Sequence, residues 1–157
     1  MKTTLLTLAA ATLLFVSCDN ENAVNPQPVG NLTIKGTIYA DFDEEEDAGD
    51  LAFETAPANV PVFFYNDDTD ALLGETTTNA SGAYTIELPV GIRSRDIRIT
   101  VGDFETEINV YDFIEDDYVT KDAFYSDRQN AYVYGAVKGA TYIQNIQISQ
   151  PEVINFD

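Results

Sequence analysis

Thr76-Thr77-Thr78-Asn79-Ala80-Ser81-Gly82-Ala83-Tyr84-Thr85-Ile86-Glu87-Leu88-Pro89-Val90-Gly91 contains, in sixteen residues, the end of one strand, a tight turn, a complete strand and a second turn. Asn79 to Gly82 are turn formers, with Gly82 free to take the positive φ that a reversal often requires. Tyr84, Ile86 and Leu88 alternate with Thr85 and Glu87, so one face of the strand is apolar and the other polar. Pro89 and Gly91 are expected to stop it, since proline has no N–H to give to a ladder.

The same grammar runs through the rest of the chain. Leu32 to Ala40 is a strand with Leu32, Ile34, Gly36, Ile38 and Ala40 on one face. A glycine in mid-strand weakens it and marks a bulge or a close approach of other backbone. Val60 to Tyr65 is nearly all apolar, which places it centrally, with Pro61 turned to an edge or a bulge. Leu72 to Thr78 leads into the quoted stretch. Asp96 to Val101 and Phe104 to Tyr111 flank Gly102-Asp103, which reads as a two-residue type II′ hairpin turn. Asp112 to Asn130 loses the pattern and reads as an insertion around a short strand at Tyr118 to Tyr125. Tyr132 to Val137 and Tyr142 to Ser149 complete the set. No amphipathic helix emerges in the mature region. Short strands at regular spacing predict an all-β chain, an antiparallel β-sandwich of about seven to nine strands.

The N-terminus carries a different signal. Lys2 precedes an apolar run, Leu5 to Val16, too short for a membrane-spanning helix of roughly 20 residues. Ser17-Cys18-Asp19 follows directly, with the only cysteine of the chain. This arrangement resembles a bacterial lipoprotein signal, although Phe15 stands where leucine is usual. The resemblance implies removal of residues 1–17, a lipid on Cys18, and an exported protein held on the outer membrane, facing either the periplasm or the surface. An ordinary secretory signal is the alternative. No second cysteine is present for a disulfide. Residues 18–31, polar and with two prolines, read as a flexible tether. Residues 32–157 then form a single domain.

Further motifs bear on the family. Gly36-x-Ile38, Asp41-x-Asp43, Val60-Pro61-Val62, Thr76-Thr77-Thr78 and Gly82-x-Tyr84-x-Ile86-x-Leu88-x-x-Gly91 resemble the signature of transthyretin-like (prealbumin-like) Greek-key sandwich domains. These are the carboxypeptidase-regulatory-like domains and the B-type repeats of Gram-positive surface adhesins. Gly139-Ala140-Thr141 with Asn145, Ile146 and Ile148 is similar to their last strand. The resemblance implies a non-catalytic, adhesin-like or accessory module. Of the lysine and asparagine that form isopeptide bonds in some B-type domains, only Lys35 with Asn145 or Asn155 is on offer.

The formal net charge is −19, and removing residues 1–17 takes away Lys2 and no carboxylate, leaving −20. Such a chain is repelled by nucleic acid and suited to divalent cations or basic partners. Catalysis has little to work with. There is no histidine, the cysteine is taken by the anchor, and no serine sits in a Gly-x-Ser-x-Gly turn. The protein is therefore read as a non-enzyme. Two binding features stand out. Asp41, Asp43, Asp47 and Asp50, with Glu54 beyond, offer the oxygen-rich loop that calcium requires, and a solvated acidic loop is the equal alternative. Tyr132 and Tyr134, in a tyrosine-rich last third, are candidates for ligand contact, since tyrosine packs an apolar face and keeps a polar tip, and covering a sandwich edge is the commoner use of such residues. The reading is thus a lipid-anchored envelope module meeting a protein partner, with a carbohydrate-binding lipoprotein as the second choice. Arg93, Arg95 and Arg98 form the only basic cluster and read as neutralising nearby carboxylates.

Overall fold

A computed structural model describes residues 30–42, 53–126 and 130–148, together with the backbone of 152–153. In chain order the strands are β1 (Gly30–Ala40), β2 (Glu54–Thr55), β3 (Pro61–Asn66), β4 (Leu72–Thr77), β5 (Ala83–Val90) and β6 (Arg95–Val101). β7 (Phe104–Asp112), β8 (Asp117–Tyr125), β9 (Asn130–Ala136), β10 (Thr141–Ile143), β11 (Ile146–Gln147) and β12 (Glu152–Val153) follow. The chain is all-β, and eight strands reach six residues or more, within the expected range.

Alternation decides which faces meet. β1 buries Leu32, Ile34, Ile38 and Ala40, β5 buries Tyr84 and Leu88, and β3 and β6 bury Val62, Phe64, Ile97, Ile99 and Val101. These side chains share one core, in which the rings of Phe64 and Tyr84 meet at 6.0 Å. The sheets contributing them are β4-β3-β6-β9 and a five-stranded sheet centred on β1. β1 pairs antiparallel with β5 and β2, and parallel with β10 and β11. A third sheet, β12-β8-β7, adds Ile108, Val110, Ala123 and Tyr125 to the same core.

β1 switches partners at Gly36. A Cβ there would lie 1.8 Å from the Gln144 carbonyl oxygen, so the backbone between β10 and β11 crosses at a distance only glycine permits. The Tyr84 hydroxyl donates to that same carbonyl at 2.6 Å, and the Thr37 N–H donates to Asn145 Oδ1 at 3.1 Å. The expected continuous last strand is consequently two short ones. Ile146 and Ile148 remain buried as the alternation requires.

The quoted stretch forms the turn it announces. Asn79 Oδ1 accepts from the N–H groups of Ser81 and Ala83, and Gly82 sits at φ 65°. The Gly82 carbonyl accepts from the Ile38 N–H, tying the turn to β1. Thr78, buried, accepts from the Val60 N–H and donates to the Pro57 carbonyl at 2.6 Å, fixing the entry to β3.

Three local expectations change. Pro89 does not end its strand: β5 runs on to Val90, with Pro89 opposite Asn31. Its ladder lies on one side only among the described residues, and a strand with one ladder tolerates proline. Gly102-Asp103 is not a hairpin turn. β6 pairs with β3 and β9 while β7 pairs with β8, so the two residues carry the chain from one sheet to another. Gly102 is required by closeness rather than by a reversed φ, for a Cβ there would meet the Phe63 ring at 2.8 Å. The supposed insertion is a regular hairpin, β7 and β8 being in register from Phe104↔Tyr125 to Asp112↔Asp117.

Candidate functional site

The inner faces of β3, β6 and β9 are spent on the core, so the chemistry of this sheet lies on its outside. Register sets it out in two rows of three. Phe63, Thr100 and Asn130 stand opposite one another, and so do Tyr65, Arg98 and Tyr132. All six are partly or fully exposed. Beside them runs an open groove of about 570 Å³, with Phe63 and Tyr65 as its apolar wall and Arg98, Thr100 and Asn130 as its polar wall. Gly102 and Asp103, at the sheet crossover, line it as well.

Each polar member is held in place. The Arg98 guanidinium lies 5.2 Å from the centre of the Tyr65 ring, a cation–π arrangement that keeps both side chains on the surface. Its Nη2 donates to Asp70 Oδ1 at 2.6 Å. Its Nε–H is buried with no acceptor among the described residues, so one Arg98 donor remains unspent. The Thr100 hydroxyl donates to Asn130 Oδ1 at 2.9 Å, which leaves the Asn130 amide N–H groups for another acceptor. On β9 the rings of Tyr132 and Tyr134 stack at 5.6 Å with planes 7° apart. Tyr134 is 69% exposed. Beyond it Gly135, at φ 62°, forms a bulge, with its N–H given to Asp96 Oδ1 at 2.7 Å.

Of the residues chosen from sequence, Tyr132 and Tyr134 are thus brought together, but against each other. Two stacked rings turn their inner faces to each other and offer edges, hydroxyls and their outer faces. Apolar area in the groove is supplied instead by Phe63 and Tyr65, whose rings lie 6.5 Å apart and tilted by 40°, and which the sequence placed on an apolar central strand. Alternation was the available signal: Phe63 and Tyr65 interleave with Val62 and Phe64, and Arg98 with Ile97 and Ile99. Phe63 and Tyr65 share β3, but Arg98 lies 33 positions beyond Tyr65 (98 − 65), and only strand order makes it their neighbour.

The acidic set divides. Asp43, Asp47 and Asp50 lie outside the described residues, as does Cys18. Asp41 and Glu54 stand at the two ends of that segment, where Glu54 Oε2 accepts the Phe42 N–H at 2.9 Å and the Asp41 carbonyl accepts the Tyr125 hydroxyl at 2.7 Å. Burial first, and then the charges of Asp41 and Glu54, push the Tyr125 phenol well above the usual tyrosine range. Among the described residues no three Asp, Glu or Cys side chains are grouped to hold a metal. Lys35 is exposed, the Asn145 side-chain oxygen receives the Thr37 N–H, and Asn155 lies outside the described residues.

No family model matches the chain, and no curated protein matches it. Among solved structures it is similar to the shaft pilin SpaA from Lactobacillus rhamnosus GG, at 17% identity over 76% of this chain and 50% of that one, with a TM-score of 0.41. It therefore spans half the length of that pilin. A 9R-lipoxygenase from Cyanothece matches at 13% identity over 76% and 16% of the two chains, TM-score 0.37. The Bacillus anthracis TIE protein matches at 10% identity over 77% and 35%, TM-score 0.30.

Proposed function

We propose that this protein is a non-catalytic binding module of the bacterial cell envelope, anchored to the outer membrane by a lipid on Cys18, whose outer sheet face takes a polysaccharide strand. The observation that carries the ligand class is the groove beside the rows Phe63–Thr100–Asn130 and Tyr65–Arg98–Tyr132. A sugar ring has an apolar face of C–H groups and a rim of hydroxyls. Aromatic side chains on one wall and fixed donors and acceptors on the other complement it. An open groove on the outer face of a sheet suits a chain passing through more than a small molecule enclosed. The net charge of −20 after loss of residues 1–17 favours neutral over acidic polysaccharides, and among the described residues lining the groove Arg98 alone carries a positive charge. A chain without histidine, the commonest general base, is consistent with binding without turnover.

The test is retention on a panel of neutral and acidic polysaccharides. Neutral chains should retain the soluble domain, and Phe63→Ala or Tyr65→Ala, which remove the aromatic lining of the groove, should lower affinity at least tenfold with an unchanged thermal melt. Retention on no polysaccharide, or retention indifferent to both substitutions, overturns the reading.

A further inference from the structure

The tip of the β7–β8 hairpin has no role in that groove. Phe113 and Ile114, adjacent in the four-residue turn, are 89% and 93% exposed, more than any other large apolar side chain among the described residues. A soluble domain gains nothing from placing two such side chains at its furthest exposure, and exposed apolar clusters rimmed by polar residues mark interaction sites. The tip is also built to hold its shape. Asp112 Oδ1 accepts the N–H groups of Ile114 and Glu115, Asp116 takes φ 53°, and the Tyr111 hydroxyl donates to the Asp116 carboxylate. The Tyr111 ring meets Phe113 and Tyr118 edge-on, at 5.1 and 5.3 Å. Phe113 is thus supported from below and bare above.

Its surroundings select the partner. The hairpin 104–125 carries seven carboxylates and one lysine, Lys121, which is already paired with Asp112 at 3.3 Å. Glu115, Asp116 and Asp117 flank the two apolar side chains directly. An anionic lipid surface would repel this rim, whereas membrane-inserting tips rely on basic residues. A second copy of so acidic a chain would be repelled as well.

We propose that the Phe113–Ile114 tip docks into an apolar pocket rimmed by Lys or Arg on another envelope protein. This contact is independent of the sheet groove, so loss of either leaves the other in place.

The chain contains no tryptophan, so Phe113→Trp provides a single fluorophore at the tip. With phosphatidylcholine or phosphatidylglycerol vesicles its emission should not shift, and a blue shift with either would overturn the proposal in favour of a membrane. In intact producing cells, a photo-crosslinking residue at position 113 should give one discrete protein adduct, and the same group at exposed Thr120 should not. The cross-linked peptide of the partner should carry Lys or Arg beside apolar residues. Glu115→Lys with Asp117→Lys should lower the adduct yield at least fivefold while the thermal melt stays unchanged. No adduct, an adduct with a second copy of this chain, or a yield indifferent to the charge reversal overturns the proposal.

Discussion

Two turns in this protein use nearly the same chemistry and reach opposite ends. At Asn79–Gly82 and at Asp112–Asp116 a short side-chain oxygen folds back to accept backbone N–H groups two or more residues on, and a residue with positive φ completes the reversal. The first turn is pressed into the fold, with Gly82 buried against Ala56 and the Ile38 carbonyl. The second stands clear of it with Phe113 and Ile114 in water. Turn chemistry, then, sets local shape only. What stands beyond the turn decides whether that shape serves stability or recognition.

The comparison can be broken most severely at Gly82. Replacing it with valine adds a strained φ and a Cβ 3.0 Å from backbone atoms of Ala56 and Ile38, which should cost about 3 kcal/mol or more in urea unfolding. Asn79→Ala removes the acceptor of two backbone N–H groups and should cost about 1–2 kcal/mol, with its midpoint shifted at constant slope. Alkali should act next, through tyrosines that anchor the strands after each turn. Tyr84 and Tyr125 are held protonated by burial, well above the ordinary value. Below pH about 10 both folded and unfolded chains keep these protons, and above it the unfolded chain releases them first, so stability should fall as pH rises. Tyr125→Phe should flatten that fall in a pH series of thermal melts, at the cost of about 1 kcal/mol for its lost hydrogen bond at neutral pH. The smallest effect belongs to the projecting turn. Phe113→Ser should change stability by less than about 0.5 kcal/mol, since the side chain buries almost nothing. A large loss there would mean that the tip is part of the scaffold after all.

How much of this could be read from sequence follows the range over which each feature is determined. Tyr84, Leu88, Ile97 and Ile99 face the core because alternation within one strand is a local property. Turn residues at Asn79–Gly82 are equally local. Gly102-Asp103 misleads because its meaning depends on which strands β6 and β7 pair with, and two flanking apolar runs do not determine that. The break at Gln144-Asn145 depends on Gly36, more than a hundred residues earlier. In the candidate site, Tyr132 and Tyr134 share a strand and could be picked out together. Phe63 and Tyr65 share a strand too, but Arg98 could not be joined to them, since it becomes their neighbour only through the β3–β6 ladder.

The crossing at Gly36 also has a bearing on how the molecule comes to be. The bond from Thr37 to Asn145 joins positions 108 residues apart, and β1 is central in its sheet only once β10 and β11 have arrived. Closing so long a loop costs chain entropy before any contact repays it, and sheets assembled this way fold over milliseconds to seconds rather than microseconds. Until then β1 presents an unpaired edge, the template on which another chain could add. A polypeptide passing through a membrane from its N-terminus would deliver β1 first and its last partner late. The interval between them is when this protein would most need a chaperone.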